Sequence, residues 1–207
     1  MTFYLLIEFL LTFPLLAISL TLHEFAHGWV ADRCGDPTAR LSGRLSLNPF
    51  VHIDLLGTVL LPILFIVTVH TPFGWAKPVP VNFMNLRKPK SQIVWVALAG
   101  PLANIFLALF FAALYHGFHV SPDSLAATLL RAGALMNLVL AVFNAIPLPP
   151  LDGSRIVMGV LPRALLPAYR KLESFGFLLV LLLWMTNLLD KLLLPIIDLF
   201  TRLLGLF

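Results

Sequence analysis

The feature that most constrains this chain is a series of long apolar blocks joined by short charged connections. Of its 207 residues 59% are hydrophobic and 12% are charged, whereas soluble globular domains carry about 25% charged residues. A helix needs about 20 largely apolar residues to cross a bilayer. The sequence therefore predicts an all-α polytopic membrane protein folded as one domain over 1–207, and it excludes ordinary soluble enzymes and disulfide-rich secreted modules. The blocks that meet or approach this length are 3–30, 55–69, 92–118, 125–146 and the C-terminal segments within 172–207.

Eleven of the fourteen Lys and Arg residues lie in particular connections between these blocks. The connection 119–124 contains no Lys or Arg. Because Lys and Arg concentrate in short cytoplasmic loops, we interpret the net charge of +4 as a sign of membrane topology and expect no nucleic-acid partner. All eleven residues lie on the cytoplasmic side only if 55–69 enters and returns as a re-entrant segment or hairpin, and the N-terminus is then outside. A full span of 55–69 is the alternative. The eleven residues concerned are Arg33, Arg40, Arg44, Lys77, Arg87, Lys88, Lys90, Arg155, Arg163, Arg170 and Lys171.

A His-Glu-x-x-His motif at 23–27 lies at the inner end of the first block. Side chains at positions i and i+4 of a helix lie one above the other, so His23 and His27 can both contact one Zn²⁺. Glu24 is then placed as a general base for a metal-bound water. The alternative is a polar helix end among lipid headgroups, but ionisable residues within a membrane helix are costly and usually mark function. The motif therefore predicts one zinc site per chain.

A catalytic zinc takes three protein ligands and keeps one open position, so a third ligand must come from elsewhere in the chain. Asp152 is favoured because it follows a cluster of prolines that cannot continue a helix, and a break in a membrane helix needs a protected, partly hydrated place. A surface turn at Asp152-Gly153 is the alternative, and His52 is the reserve ligand. The full set of candidates is Asp36, His52, Asp54, His70, Asp152 and Glu173.

Three sequence elements carry a resemblance to a known family. They are the motif at 23–27, Gly100-Pro-Leu-Ala-Asn104 in a middle membrane helix, and Asn144-x-x-Pro-x-x-x-Leu-Asp-Gly153 at the end of a later one. In this order they resemble the site-2 protease family of intramembrane zinc metalloproteases, peptidase family M50, in its compact form without a PDZ domain. The resemblance implies that His23, His27 and Asp152 bind zinc, that Glu24 is catalytic and that Asn144 lies close enough to assist.

The resemblance also implies an architecture and an activity. The architecture is a three-helix catalytic core with a short β-structured, membrane-dipping loop, here at 74–86, and additional C-terminal transmembrane helices. The activity is zinc-dependent cleavage of transmembrane segments of membrane proteins, with the active site near the cytoplasmic side of a bacterial or archaeal inner membrane. Val79, Val81 and Phe83 alternate with Pro80 and Asn82, a pattern that suits an edge strand able to hold an extended substrate.

The residues themselves leave two other functions open. A zinc transporter would distribute its ligands along a path at several depths. A prenyl-protein membrane protease also carries a His-Glu-x-x-His motif but takes a glutamate as third ligand, for which Glu173 is the acidic candidate.

Gly100, Asn104 and Ala108 form a stripe of small residues that suits close helix packing. Within this scheme Asn104 and Asn137 are interpreted as interhelical hydrogen-bonding residues, and Asn144 as a substrate or oxyanion contact.

Overall fold

The computed structural model describes residues 2–70, 74–162 and 164–206, and within these ranges the chain is helical without a β-strand. Short 3₁₀ turns lie at Pro49–Val51, Phe83–Asn85 and Leu172–Ser174, and a π-helical stretch at Leu55–Leu60 runs into α3. The α-helices of the described residues are α1 (Thr2–Cys34), α2 (Thr38–Leu41), α3 (Leu61–Val69), α4 (Pro89–Gly117), α5 (Leu125–Asn144), α6 (Asp152–Val160), α7 (Leu166–Lys171), α8 (Gly176–Met185) and α9 (Leu188–Leu203).

Helices α1, α4 and α5 form the membrane core. They contain 33, 29 and 20 residues and are apolar enough to cross a bilayer. At 1.5 Å per residue they are about 50, 44 and 30 Å long, against a hydrocarbon core of about 30 Å. Helix α4 lies between its neighbours and packs against both α1 and α5. The predicted all-helical membrane architecture is therefore confirmed, with helices that extend up to four residues beyond the predicted bounds of the first and third blocks.

The apolar insertion at 55–69 forms a short helix. Asp54 begins it, because the Asp54 carboxylate accepts a hydrogen bond from the Gly57 N–H at 2.7 Å. The apolar helical stretch Leu55–Thr68 is about 21 Å long, shorter than the hydrocarbon core. It packs beside α1.

The C-terminal apolar block is divided. Within the predicted C-terminal segments at 172–207, α8 and α9 meet at a bend of 78°. Asn187 lies at this bend with φ 55°, a left-handed conformation that Asn tolerates better than most residues. The apolar face of α9, with Leu189, Leu193 and Ile197, packs against Ile146 and Leu151 in the connection between α5 and α6. The two helices together account for at most one further span.

The predicted β-structured loop at 74–86 is not formed as a strand in the described residues. Trp75 N–H donates to the Gly57 carbonyl at 3.0 Å and Lys77 N–H to the His52 carbonyl at 3.0 Å. Val79 N–H donates to Glu24 Oε2 at 2.7 Å. Alternate residues thus donate to one side, as in a strand, but to three separate partners.

Prolines explain why the other edge of this segment forms no ladder. Pro78 and Pro80 have no N–H to donate. We call residues 74–80 the extended segment.

A buried carboxylate anchors the end of the loop to the end of α1. Asp36 is fully buried, and its carboxylate accepts hydrogen bonds from Asn82 N–H at 2.6 Å and Asn85 Nδ2 at 2.9 Å. The Thr38 hydroxyl also donates to it. Burial acts to raise the pKa of Asp36, but the hydrogen bonds from Thr38, Asn85 and Asn82 outweigh it and hold the pKa below its usual range.

Candidate metal centre

His23 and His27 lie one turn apart on α1, and both side chains are buried. Their Nε2 atoms are 3.1 Å apart. The helical i, i+4 relationship brings the two imidazoles to one point on the face of α1 that packs against α4.

The turn between α5 and α6 brings Asp152 to the same point. Gly153 packs so closely against the end of α5 that a Cβ there would lie 2.2 Å from the Ala145 carbonyl oxygen and 2.3 Å from that of Ile146. Helix α6, which begins at Asp152, packs along α4. Asp152 Oδ2 consequently lies 3.2 Å from Nε2 of both His23 and His27.

These three atoms fit a zinc ion. They form a triangle with sides of 3.1, 3.2 and 3.2 Å. Ligands of a tetrahedral zinc, bound at 2.0–2.1 Å, are about 3.3 Å apart. Two imidazoles and one carboxylate are also a donor set that catalytic zinc sites use. Among the described residues, this is the one group of three such side chains able to hold a metal.

The other ring nitrogen of each histidine is held by an acceptor. His27 Nδ1 lies 2.6 Å from the Val96 carbonyl oxygen, and His23 Nδ1 lies 2.5 Å from Asn104 Oδ1. An acceptor at Nδ1 requires the proton there, which leaves the Nε2 lone pair for a metal. Both imidazoles are thus oriented by α4.

Gly100 on α4 forms the floor of the site. A Cβ at this position would lie 2.3 Å from His27 Nε2 and 2.6 Å from His23 Nε2. Only glycine leaves room for both rings. The spacing of Gly100, Asn104 and Ala108 predicts a helix-packing role for Gly100, and its closeness to the imidazoles has no separate signal in the sequence.

Glu24 lies between the two histidines in sequence and contacts the extended segment. Its Oε2 accepts the hydrogen bond from Val79 N–H. The backbone of the loop therefore fixes one carboxylate oxygen, although Val79 and Glu24 are 55 residues apart.

Asn144 is the last residue of α5 and is half-buried. Its Nδ2 donates to the Leu140 carbonyl at 2.9 Å, a bond within its own helix.

The remaining third-ligand candidates have other partners. His52 Nε2 lies 2.8 Å from the Ser46 carbonyl oxygen, and His70 Nε2 lies 3.0 Å from the Thr2 hydroxyl. Asp36 holds the loop and Asp54 begins the π-helical stretch. Glu173 forms an ion pair with Arg155 at 2.5 Å.

Comparisons with known proteins identify the family of this chain. The profile of peptidase family M50 matches residues 11–122 and 119–186. YwhC of Bacillus subtilis, which bears the provisional name zinc metalloprotease, is 38% identical over 190 residues, covering 88% of this chain and 84% of its own. Rip2 of Mycobacterium tuberculosis, named in the same way, is 35% identical over 176 residues, covering 80% of this chain and 64% of Rip2.

A more distant relative is the zinc metalloprotease MJ0392 of Methanocaldococcus jannaschii, 28% identical over 151 residues, or 73% of this chain and 34% of MJ0392. No solved structure matches the chain at a significant level. The family profile covers most of α1 and all of α4, α5 and α6. The chain therefore belongs to peptidase family M50 and is a membrane-embedded metalloprotease with Zn²⁺ as its cofactor.

Proposed function

We propose that this chain is an intramembrane endopeptidase that hydrolyses peptide bonds within transmembrane segments of other membrane proteins. The observation that carries this proposal is the position of the His23–His27–Asp152 triangle against Gly100 of α4. Gly100 lies eleven residues, or about 17 Å, from the start of α4. If a helix of about 44 Å is centred on a hydrocarbon core of about 30 Å, this point lies about 10 Å inside the core.

His23, His27 and Asp152 are the proposed zinc ligands, and Glu24 is the proposed general base. When bound, Zn²⁺ lowers the pKa of a coordinated water to about 7 and polarises a peptide carbonyl. Glu24 accepts the proton of the attacking water and delivers it to the leaving amine. The hydrogen bond from Val79 N–H orients the carboxylate for this task.

Asn144 is the proposed donor to the carbonyl oxygen of the substrate, where negative charge develops. It lies at the end of α5, directly before the turn that delivers Asp152. For this role its Nδ2 exchanges the Leu140 carbonyl for the substrate carbonyl, a change of partner that a side-chain rotation provides.

A cavity of about 470 Å³ lies between α1, α3 and α5. Its walls include Leu16 and Leu20 of α1, eight and four residues before Glu24, and Met136 and Leu140 of α5, eight and four residues before Asn144. Residues four apart share a helix face, so the cavity runs toward Glu24 and Asn144. An apolar cavity of this kind suits a transmembrane segment, which unwinds and pairs with the extended segment by strand addition.

The proposed topology places the N-terminus outside and the site near the cytoplasmic side of a bacterial or archaeal inner membrane. The distribution of basic residues supports it. In a Cys34→Ser background, single cysteines at Lys88 and Arg170 are expected to react with an impermeant thiol reagent from the cytoplasmic side, and a cysteine at Ser121 from the outside. Labelling of positions 88 and 170 from opposite sides would show that the topology is wrong.

The experiment that tests the function uses purified protein in detergent with a tagged transmembrane-helix substrate. We expect His23→Ala and Asp152→Ala to lose zinc and turnover together. Glu24→Gln should keep zinc and lose about 10²–10⁴-fold in turnover, the usual contribution of a general base.

The other two functions give different outcomes in the same variants. A transporter would move radioactive zinc into liposomes and tolerate Glu24→Gln. A prenyl-protein protease would depend on Glu173, so that Glu173→Gln would abolish turnover. Full turnover in Glu24→Gln removes the proposed mechanism.

A further inference from the structure

A continuous chain of polar side chains connects the proposed metal ligand His23 with all three core helices. Asn104 of α4 contacts His23 and also donates through Nδ2 to Asn137 Oδ1 of α5 at 2.7 Å. Asn137 Nδ2 in turn donates to the Ser19 hydroxyl of α1 at 2.8 Å. Ser19, Asn104 and Asn137 are each fully buried. Buried side-chain amides with every bond satisfied fix one arrangement of the helices around them.

The far end of this chain is anchored by two backbone carbonyls. The Ser19 hydroxyl donates to the Leu15 carbonyl at 2.7 Å, so its oxygen is an acceptor toward Asn137. Asn137 Nδ2 also donates to the Gly133 carbonyl at 2.8 Å. A carbonyl oxygen can only accept. Asn137 is therefore obliged to turn its amino group toward Ser19 and Gly133 and its Oδ1 toward Asn104.

This orientation is transmitted to His23. Because Asn137 presents Oδ1, Asn104 must present Nδ2 to it; that same Nδ2 lies 3.5 Å from the Ser19 carbonyl oxygen, another acceptor. Asn104 Oδ1 is then the atom left to face His23 Nδ1. An oxygen acceptor there requires the proton on Nδ1, which frees Nε2 for coordination.

We propose that Ser19, Asn137 and Asn104 are positioning residues that set the tautomer and ring orientation of His23 and thereby the affinity for zinc. This inference rests on the metal site of the proposed function and adds to it three residues that do not touch the metal. His27 reaches the same tautomer through a single backbone acceptor, the Val96 carbonyl. His23 depends instead on a relay through side chains, which substitution can interrupt.

Zinc affinity, measured by competition with a chromophoric chelator on detergent-purified protein, tests this relay. Changes to residues that orient a histidine ligand typically cost 10–100-fold in metal affinity. We expect Asn104→Leu and Asn137→Leu to weaken zinc binding by about that factor. Ser19→Ala should have a smaller effect, because Asn137 keeps its bond to Gly133.

A matched control is available on the same helix. Thr21 is buried, and its hydroxyl donates to the Ala17 carbonyl four residues earlier, as Ser19 does to Leu15. Thr21→Val therefore removes a buried hydroxyl of the same kind outside the relay and should leave zinc affinity unchanged. Asn104→Asp is the rescue variant, since a carboxylate oxygen still accepts from His23 Nδ1.

A spectroscopic measurement separates positioning from general packing. In zinc-free protein with ¹⁵N-labelled histidine, ring nitrogen shifts distinguish an Nδ1-protonated from an Nε2-protonated imidazole, and His23→Ala identifies the signals of His23. We expect the Nδ1-protonated form in wild type and in Asn104→Asp, and a mixture of the two forms in Asn104→Leu and Asn137→Leu. If the larger changes prevent folding, Ser19→Ala should show a smaller increase of the Nε2-protonated form, and no increase relative to Thr21→Val would overturn the relay.

Two outcomes are distinguishable. If His23→Ala retains wild-type zinc affinity, the metal site of the proposed function is wrong. If His23→Ala loses zinc while Asn104→Leu, Asn137→Leu and Ser19→Ala bind it as tightly as Thr21→Val, the metal site stands and the relay is overturned.

Discussion

Gly100 and His27 approach each other so closely that a Cβ on Gly100 would lie 2.3 Å from His27 Nε2. That distance is far inside van der Waals contact, and the atom it meets is the nitrogen proposed to bind zinc. Pro101 follows it within α4, and the backbone of this turn lies directly below the imidazoles. The glycine is required by the site and not by the helix, in which glycine is unfavourable by about 1 kcal/mol relative to alanine.

The first prediction follows from this contact. Gly100→Ala should lower zinc affinity at least about tenfold, because the added methyl group displaces both imidazoles from their positions. Gly117→Ala on the same helix is the control, since a Cβ there meets no atom within 4 Å. Zinc content by mass spectrometry and thermal unfolding of the zinc-free proteins provide the measurements. Equal zinc content in the two variants would contradict the prediction.

The second prediction concerns the hydrogen bond from Val79 N–H to Glu24. Val79→Pro removes the donor, while Val79→Ala keeps it and shortens the side chain. We expect Val79→Pro to lose at least about tenfold in turnover with zinc still bound, because one charge-assisted hydrogen bond contributes about 1.5–3 kcal/mol and orients the base. Equal turnover in the proline and alanine variants would show that the bond has no role in catalysis.

The third prediction concerns the acid stability of the loop anchor. The pKa of Asp36 is held below its ordinary value of 3.8. A lowered pKa in the folded state means that the ionised carboxylate stabilises the fold above the ordinary pKa, and that this contribution disappears as the pH falls through the folded-state pKa. Asp36→Asn should therefore cost about 1–3 kcal/mol at neutral pH, and the difference from wild type should shrink below about pH 4.

Thermal unfolding of the zinc-free proteins between pH 7 and 3 measures this difference. Asp123→Asn is the control, because Asp123 is exposed in the connection between α4 and α5. A difference between Asp36→Asn and wild type that stays constant down to pH 3 would show that Asp36 does not act through its charge.

The sequence predicted the helices of the core because their apolar blocks are long and contain few charged residues. The i, i+4 spacing of His23 and His27 fixes their common helix face, and prolines mark the break before Asp152. Other features depend on contacts that no local pattern encodes. Val79 and its alternating neighbours predicted a strand, but the segment is held by single bonds to Glu24, Gly57 and His52 in place of a neighbouring strand.

Two further differences have the same origin. Gly100 is constrained by imidazoles from a helix more than 70 residues earlier in the chain, which its small-residue spacing alone does not reveal. In the C-terminal segments, the apolar composition does not reveal a bend at the polar pair Thr186-Asn187. The chain bends at Asn187. Single residues with unusual backbone angles thus redirect helices that composition treats as continuous.

The fourth prediction concerns the route of the substrate. Leu140→Trp narrows the cavity between α1 and α5, whereas Leu102→Trp narrows a separate cavity of about 670 Å³ between α4, α5 and α9. If the substrate helix enters by the first cavity, Leu140→Trp should raise KM for a transmembrane substrate several-fold with zinc content unchanged. Leu102→Trp should behave as wild type. The reverse pattern would assign entry to the second cavity.

The last prediction concerns Asn144. If its side chain binds the substrate carbonyl oxygen, the contact is stronger in the transition state than in the ground state, so its loss lowers kcat and not zinc binding. Asn144→Ala should reduce turnover by about 10²–10³, the usual cost of one oxyanion donor, with zinc content and unfolding temperature close to wild type. Thr186→Ala is the control, because Thr186 makes the same kind of bond to the carbonyl four residues earlier, at 2.8 Å, in α8. Full turnover in Asn144→Ala, or a loss matched by loss of folded protein, would leave Asn144 with only its bond to Leu140.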